Sequence, residues 1–120
     1  MANEIKVTAG LTCTNGELSV QIATASTQVD QVTARGGGPG TLDIGTSEET
    51  IAFTDTVPGW IYMKNLDATN FITWGNVTAN LDQKLRAGGA PTVIEMVSGG
   101  VLILKADTAT CKVQIIAINI

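Results

Sequence analysis

Apolar and polar side chains alternate along most of this chain with a period of two, not the 3.6 of a helix. In ELSVQIAT, Leu18, Val20 and Ile22 alternate with Ser19, Gln21 and Ala23, the pattern of a strand with one face in a core. The alternation in TQVDQVTA is weaker and predicts an edge strand. MANEIKVTAG is also strand-like, and residues 1–16 are expected to form an extended N-terminal arm. The stretches TLDIGT, TIAFTD, WIYMKNL, NFITWGNV, QKLRA, TVIEMV, VLILKA and CKVQIIAIN continue the series.

Turn-forming residues separate these segments: Asn15-Gly16, RGGGPG over 35–40, Pro58-Gly59, Gly88-Gly89 before Pro91, and Ser98-Gly99-Gly100. Glycine and asparagine tolerate left-handed backbone, and proline presets a turn. The run at 35–40 is expected to be a flexible loop. Short strands spaced by about 8–12 residues predict an all-β fold. The expectation is a single domain over 1–120, an antiparallel β-sandwich of the jelly-roll kind with about 8–10 short strands. The abundance of Thr, Val and Ile agrees, since β-branched side chains pack well on a pleated surface. The one stretch with any helical character, NVTANLDQKL, has room for a single turn or a loop.

Composition narrows the function. Apolar residues make up 44% of the chain and charged residues 15%, so the low hydrophobicity and high charge of a disordered chain are absent. With a net charge of −4 and seven scattered basic residues, the chain lacks the clustered cations that neutralise phosphates, and no nucleic-acid partner is expected. Lys84 and Arg86 are the one close basic pair, and they read as a solvated face. The N-terminus lacks the apolar core of a secretion signal, and the apolar runs are too short to span a bilayer. Synthesis in a reducing cytoplasm, with no membrane partner, follows as an expectation. In that compartment Cys13 and Cys111 are expected to be buried and reduced, with a single staple between the terminal strands as the alternative.

Reactive chemistry finds little to stand on. There is no histidine, so the common serine and cysteine triads have no base, and two thiols fall short of a tetrahedral zinc set. Glu48, Glu49, Asp55, Asp67, Asp82 and Glu95 are the carboxylates a glycosidase would need, but they lie at turns or on polar strand faces. RGGGPG lacks the Gly-Lys-Ser/Thr and the helix of a phosphate cradle. No catalytic residue, cofactor or metal is expected, although Asn65, Asp67 and Asn70 offer oxygens to calcium.

The stretch GWIYMKNLDATNFITWG is the richest in aromatic residues. Alternation puts Trp60, Tyr62 and Lys64 on one face and Ile61, Met63 and Asn65 on the other, with NLDATN as the reversal. Beyond it Phe71 and Thr73 alternate with Ile72 and Trp74. Trp60, Tyr62 and Trp74 are candidate interface residues, since aromatic anchors are common at contacts. Ile5 and Val7 of the N-terminal segment, with Arg35, Gly36, Gly37 and Gly38 of the glycine run, are further candidates for contact with neighbours.

Taken in order, Pro58 to Trp60, Asn65 to Asn70, Leu85 to Gly88 and Lys105 to Ala109 form a string of features over residues 40–120. That string resembles small virion structural proteins of tailed bacteriophages and their prophage relatives. The chain departs from the pattern at Gly89-Ala90-Pro91, where an acidic residue commonly follows the glycine. The resemblance implies a non-enzymatic building block of the virion, most simply a decoration or cement protein on the outer capsid surface. It also implies two kinds of partner, the major capsid protein and further copies of the chain in a dimer or trimer. A tail or neck component, or a jelly-roll module that binds host-surface carbohydrate, are the alternatives.

Overall fold

In a computed structural model of the chain, residues 4–32, 34–53 and 57–119 are described. They form no helix and ten antiparallel strands in three sheets. Where the sequence predicts one domain over 1–120, packing divides the chain into two compact units, 1–32 and 33–120.

The first unit is a long hairpin. Strand β1 (Ile5–Asn15) pairs with β2 (Leu18–Val29) from Ile5 opposite Val29 to Asn15 opposite Leu18. Gly16 closes it in the left-handed region at φ 59°, a conformation that costs glycine nothing. The register shifts between Ala9 and Leu11, so that Gly10 faces both Ala23 and Thr24. This bulge changes the parity of β2. Leu18, Val20 and Ile22 before it, and Ala25, Thr27 and Val29 after it, therefore share one face with Ile5, Val7, Ala9, Leu11 and Cys13. Two expectations change. Residues 5–15 are paired along β2 in a hairpin, and only Thr27–Val29 of TQVDQVTA continue the strand begun by Leu18, with 30–32 outside any strand.

The second unit is a sandwich of two four-stranded sheets. Its strands are β3 (Gly36–Ile44), β4 (Glu49–Thr50), β5 (Trp60–Asn65), β6 (Ile72–Gly75), β7 (Gln83–Leu85), β8 (Thr92–Glu95), β9 (Ile103–Ala106) and β10 (Cys111–Ile118). One sheet has the order β3-β10-β5-β8 and the other β4-β9-β6-β7. The pairings are nested: β3 with β10, β4 with β9, β5 with β8 and β6 with β7. A double-stranded ribbon rolled up in this way is a jelly roll. Only β6 and β7 are consecutive neighbours within a sheet; every other connection crosses between the sheets.

The core lies between the two sheets. Ile61, Met63, Val113, Ile115 and Ala117 enter from one side, and Ile72, Trp74, Leu85, Leu104 and Ala106 from the other. Strand β10 shows the cause most clearly, with Cys111, Val113, Ile115 and Ala117 buried and the residues between them exposed or half-buried. Segment 76–82 forms a turn with a Val77–Asn80 bridge in place of a helical turn. TIAFTD contributes only Thr50 to β4; Ile51 N–H then donates to Leu102 O at 2.9 Å, and 54–56 lie outside the described residues.

Candidate contact surfaces

Three of the four features that carry the virion resemblance meet at one end of the sandwich, while Pro58–Trp60 lies at the other end of β5. Asn65 ends β5 on the core side and is fully buried. Its Nδ2 donates to Asn70 O at 2.9 Å and to Leu85 O at 3.3 Å, and its Oδ1 accepts from Asp67 N–H at 2.9 Å. The Asp67 carboxylate then accepts from the N–H groups of Thr69 at 2.9 Å and Asn70 at 2.6 Å. Gly88 N–H donates to Asp67 O at 2.9 Å, and Thr108 Oγ1 donates to Asn70 Oδ1 at 2.8 Å. Asn65–Asn70, Leu85–Gly88 and the turn before β10 are thus tied into one polar cluster, with a buried asparagine at its centre. The two backbone donors, Asn70 first and Thr69 second, hold the Asp67 carboxyl below the usual carboxylate range.

This cluster is structural. Asn65 Oδ1 accepts from Asp67 N–H, Asp67 Oδ2 from the Thr69 and Asn70 N–H groups, and Asn70 Oδ1 from Thr108, so these oxygens hold the turn in shape. Other carboxylates brace loops in the same way: Glu48 accepts from Ala79 N–H at 3.0 Å, and Glu49 from Gly45 N–H. Asp55 lies outside the described residues. Lys84 lies over the Phe71 ring, 4.5 Å from its centroid. The pair Lys112–Asp43, 3.1 Å apart, is exposed and adds little stability.

The cysteines do not pair. Cys111 is buried near Asn70 O and Ala109 O, and desolvation first, then the charges of Asp67 and Asp107, raise its pKa. Cys13 is exposed, against the expectation that both thiols are buried, because the hairpin face that carries it is uncovered.

The outer face of the β3-β10-β5-β8 sheet is graded from apolar to polar. Pairing aligns Gly36, Ile118, Trp60 and Glu95 in one row, and Pro39, Ile116, Tyr62 and Val93 in the next. Thr41, Gln114 and Lys64 follow, and Asp43 and Lys112 end the series. Trp60, Tyr62, Ile116 and Ile118 are half-buried, and Val93 is exposed. The outer face of a solvated sheet is ordinarily polar. Here one end is an aromatic and aliphatic stripe.

The structure brings Trp60 and Tyr62 together on this stripe, with Gly36 and Gly38 in the adjoining edge strand. It does not bring Trp74 there. Trp74 pairs with Leu104 on the inner face of the other sheet and is 7% exposed, so it is a core residue. Arg35 precedes β3, and its carbonyl accepts from Asn119 N–H at 3.0 Å. Gly36–Gly40 form a strand and not a flexible loop, opposite Ile118–Ile115, with a register shift between Ala117 and Ile118. A Cβ on Gly36 would lie 2.7 Å from Ala117 O and Ile118 Cα, and φ there is +146°, so only glycine fits. Ile5 is buried and Val7 half-buried in the hairpin unit.

Ile116, Ile118 and Val93 were missed from sequence. The signal was present in Ile115–Ile118, where a continuous apolar run replaces the alternation expected of a strand with one wet face.

Compared with protein-family models, with curated proteins and with solved structures, the chain matches none. Its function must therefore be argued from its own geometry.

Proposed function

We propose that this chain is a non-enzymatic structural protein of a virion, a decoration or cement protein that binds the outer capsid surface through the Trp60–Tyr62–Ile116–Ile118 stripe. The observation that carries this reading is the stripe itself: half-buried apolar side chains on a sheet face that has no further layer of its own sandwich to cover. An apolar protein surface is the partner such a face fits. The virion resemblance supplies the kind of partner, the major capsid protein.

Two further observations support a scaffold. Three of the six candidate carboxylates, Glu48, Glu49 and Asp67, are engaged in bracing turns. Three of the four motif features fold round Asn65 through hydrogen bonds that fix turns. The carbohydrate alternative needs a ring free to stack on a sugar. Trp74 is buried, and Trp60 and Tyr62 are half-buried.

The test is co-sedimentation of the purified protein with phage heads assembled without it, with intact host cells as the parallel target. Saturable binding to heads at a fixed copy number is expected. Tyr62→Glu and Ile116→Glu should each weaken it roughly tenfold or more, the size of loss typical of central anchors. Binding to cells and not to heads overturns the proposal.

A further inference from the structure

The hairpin unit presents a second apolar face, made differently and left more open. Cross-strand pairing stacks it in rows: Ile5 with Val29, Val7 with Thr27, Ala9 with Ala25, Leu11 with Ile22, Cys13 with Val20, and Asn15 with Leu18. No charged residue lies on it. The opposite face carries Lys6, Thr8, Thr12, Thr14, Ser19, Gln21, Ser26 and Gln28, with Thr8 and Ser26 hydrogen-bonded at 3.0 Å. Leu11 is 66% exposed, Ile22 58% and Leu18 54%. A two-stranded hairpin is at best marginal in water, and this one leaves its main source of burial uncovered.

From these rows we infer that the hairpin associates with a second copy of this chain, apolar face to apolar face, through Leu11, Cys13, Val20 and Ile22. Three features favour a copy of itself as the occupant. The face has no charge with which to select or orient a different partner. Its rows alternate in size: the large Leu11–Ile22 row lies between the Ala9–Ala25 row and the smaller Cys13–Val20 row. A two-fold axis between the Leu11–Ile22 and Cys13–Val20 rows sets each large row over the smaller row of the other copy, as packed sheets require. In that register the copies cover Ala9–Asn15 and Leu18–Ala25, which is the exposed part of the face, and leave out the rows of buried Ile5 and half-buried Val7.

Area sets the strength. The open part of the face is roughly 23 Å long and 10 Å wide, so two copies would hide on the order of 500 Å² in total. That lies below the ~1,000 Å² of a firm specific interface, at the weak and concentration-dependent end. The inference does not depend on the virion reading. Self-association is measured on the purified protein alone, whereas that reading is measured on heads.

Sedimentation equilibrium from roughly 10 μM to 1 mM brackets association of this strength. The mass should rise from one chain towards two, and maleimide labelling of Cys13 should slow as it does. Cys111 is buried and provides the unlabelled reference. Two variants carry the same pair of opposite charges across the same strands, Leu11→Glu with Ile22→Lys on the apolar face and Thr12→Glu with Gln21→Lys on the polar one. The first should stay at the mass of one chain throughout; the second should associate like the wild type. Trp60 and Trp74 lie in the other unit, and their fluorescence checks that it remains folded in both. A wild type that stays at one chain across the range, or two variants that behave alike, overturns the inference.

Discussion

The hairpin unit and the sandwich unit are written in the same alphabet, strands of alternating apolar and polar residues, yet one builds a core and the other does not. In β10, Val113, Ile115 and Ala117 meet a second sheet and are fully buried. In β1 and β2, Leu11, Leu18 and Ile22 alternate as regularly and remain more than half exposed. Alternation specifies a face. Burial needs a second layer, which the nested pairing of β3–β10 supplies and a lone hairpin cannot.

The largest effects should therefore fall in the sandwich. Leu104→Ala removes a fully buried side chain opposite Trp74 and should cost about 3 kcal/mol. The measurement is urea unfolding followed by tryptophan fluorescence, which reports the sandwich unit alone. Ile22→Ala deletes comparable apolar bulk from an open face and should move the same transition by less than ~0.5 kcal/mol. If the two truncations cost the same, the contrast between the regions fails.

Next in size is the polar cluster. Asn65→Ala leaves Asn70 O, Leu85 O and Asp67 N–H without their buried partner and should cost about 2 kcal/mol. Asn65→Asp is the sharper variant. It keeps the acceptor for Asp67 N–H but replaces the donor to the two carbonyls with a buried charge, so it should be worse than alanine. Equal stability of the two variants would mean that shape, and not hydrogen bonding, makes the cluster.

Asp67 adds a pH dependence. Its folded pKa is lowered by the Asn70 and Thr69 N–H groups, so its contribution is present above the unfolded value near 4 and is lost as pH falls through the lowered folded value. Asp67→Asn should remove that acid limb: the wild type should be the more stable above about pH 4, and the two stability curves should draw together below it. Parallel curves across the acid range would show that the carboxylate charge is not what the turn uses.

Much of this fold was legible because parity is a local property. The assignment of Ile61, Met63 and Asn65 to one face and Trp60, Tyr62 and Lys64 to the other follows from spacing alone, and the sandwich strands from Leu42 onward, TIAFTD apart, fall close to where alternation puts them. The failures have particular causes. The bulge at Gly10 shifts the parity of β2, so one strand reads as two. RGGGPG looks like a loop by composition, although Gly36 is there because its strand passes too close to Ala117 O for any side chain. Parity could not tell Trp74 from Trp60 as a surface residue, because which face of a strand becomes the core depends on sheet partners far away in sequence. Asn65 was legible as a turn former but not as a buried hub, since its partners Asn70 and Leu85 come together only when the sheets close.

The smallest expected effect concerns the outer stripe. Trp60 is half-buried there, and its Nε1–H is buried with no acceptor among the described residues. An unmet donor of this kind costs about 1–3 kcal/mol, so the indole gives back much of what its ring area contributes. Trp60→Phe removes the donor and keeps an aromatic ring, and the two changes should offset to within ~0.5 kcal/mol. Trp74 still reports unfolding in that variant. A loss of about 2 kcal/mol would mean that the indole fits its surroundings too closely for phenylalanine to replace it. The stripe would then be a fixed part of the sandwich, and its role as a contact surface would rest on Tyr62, Ile116 and Ile118 alone.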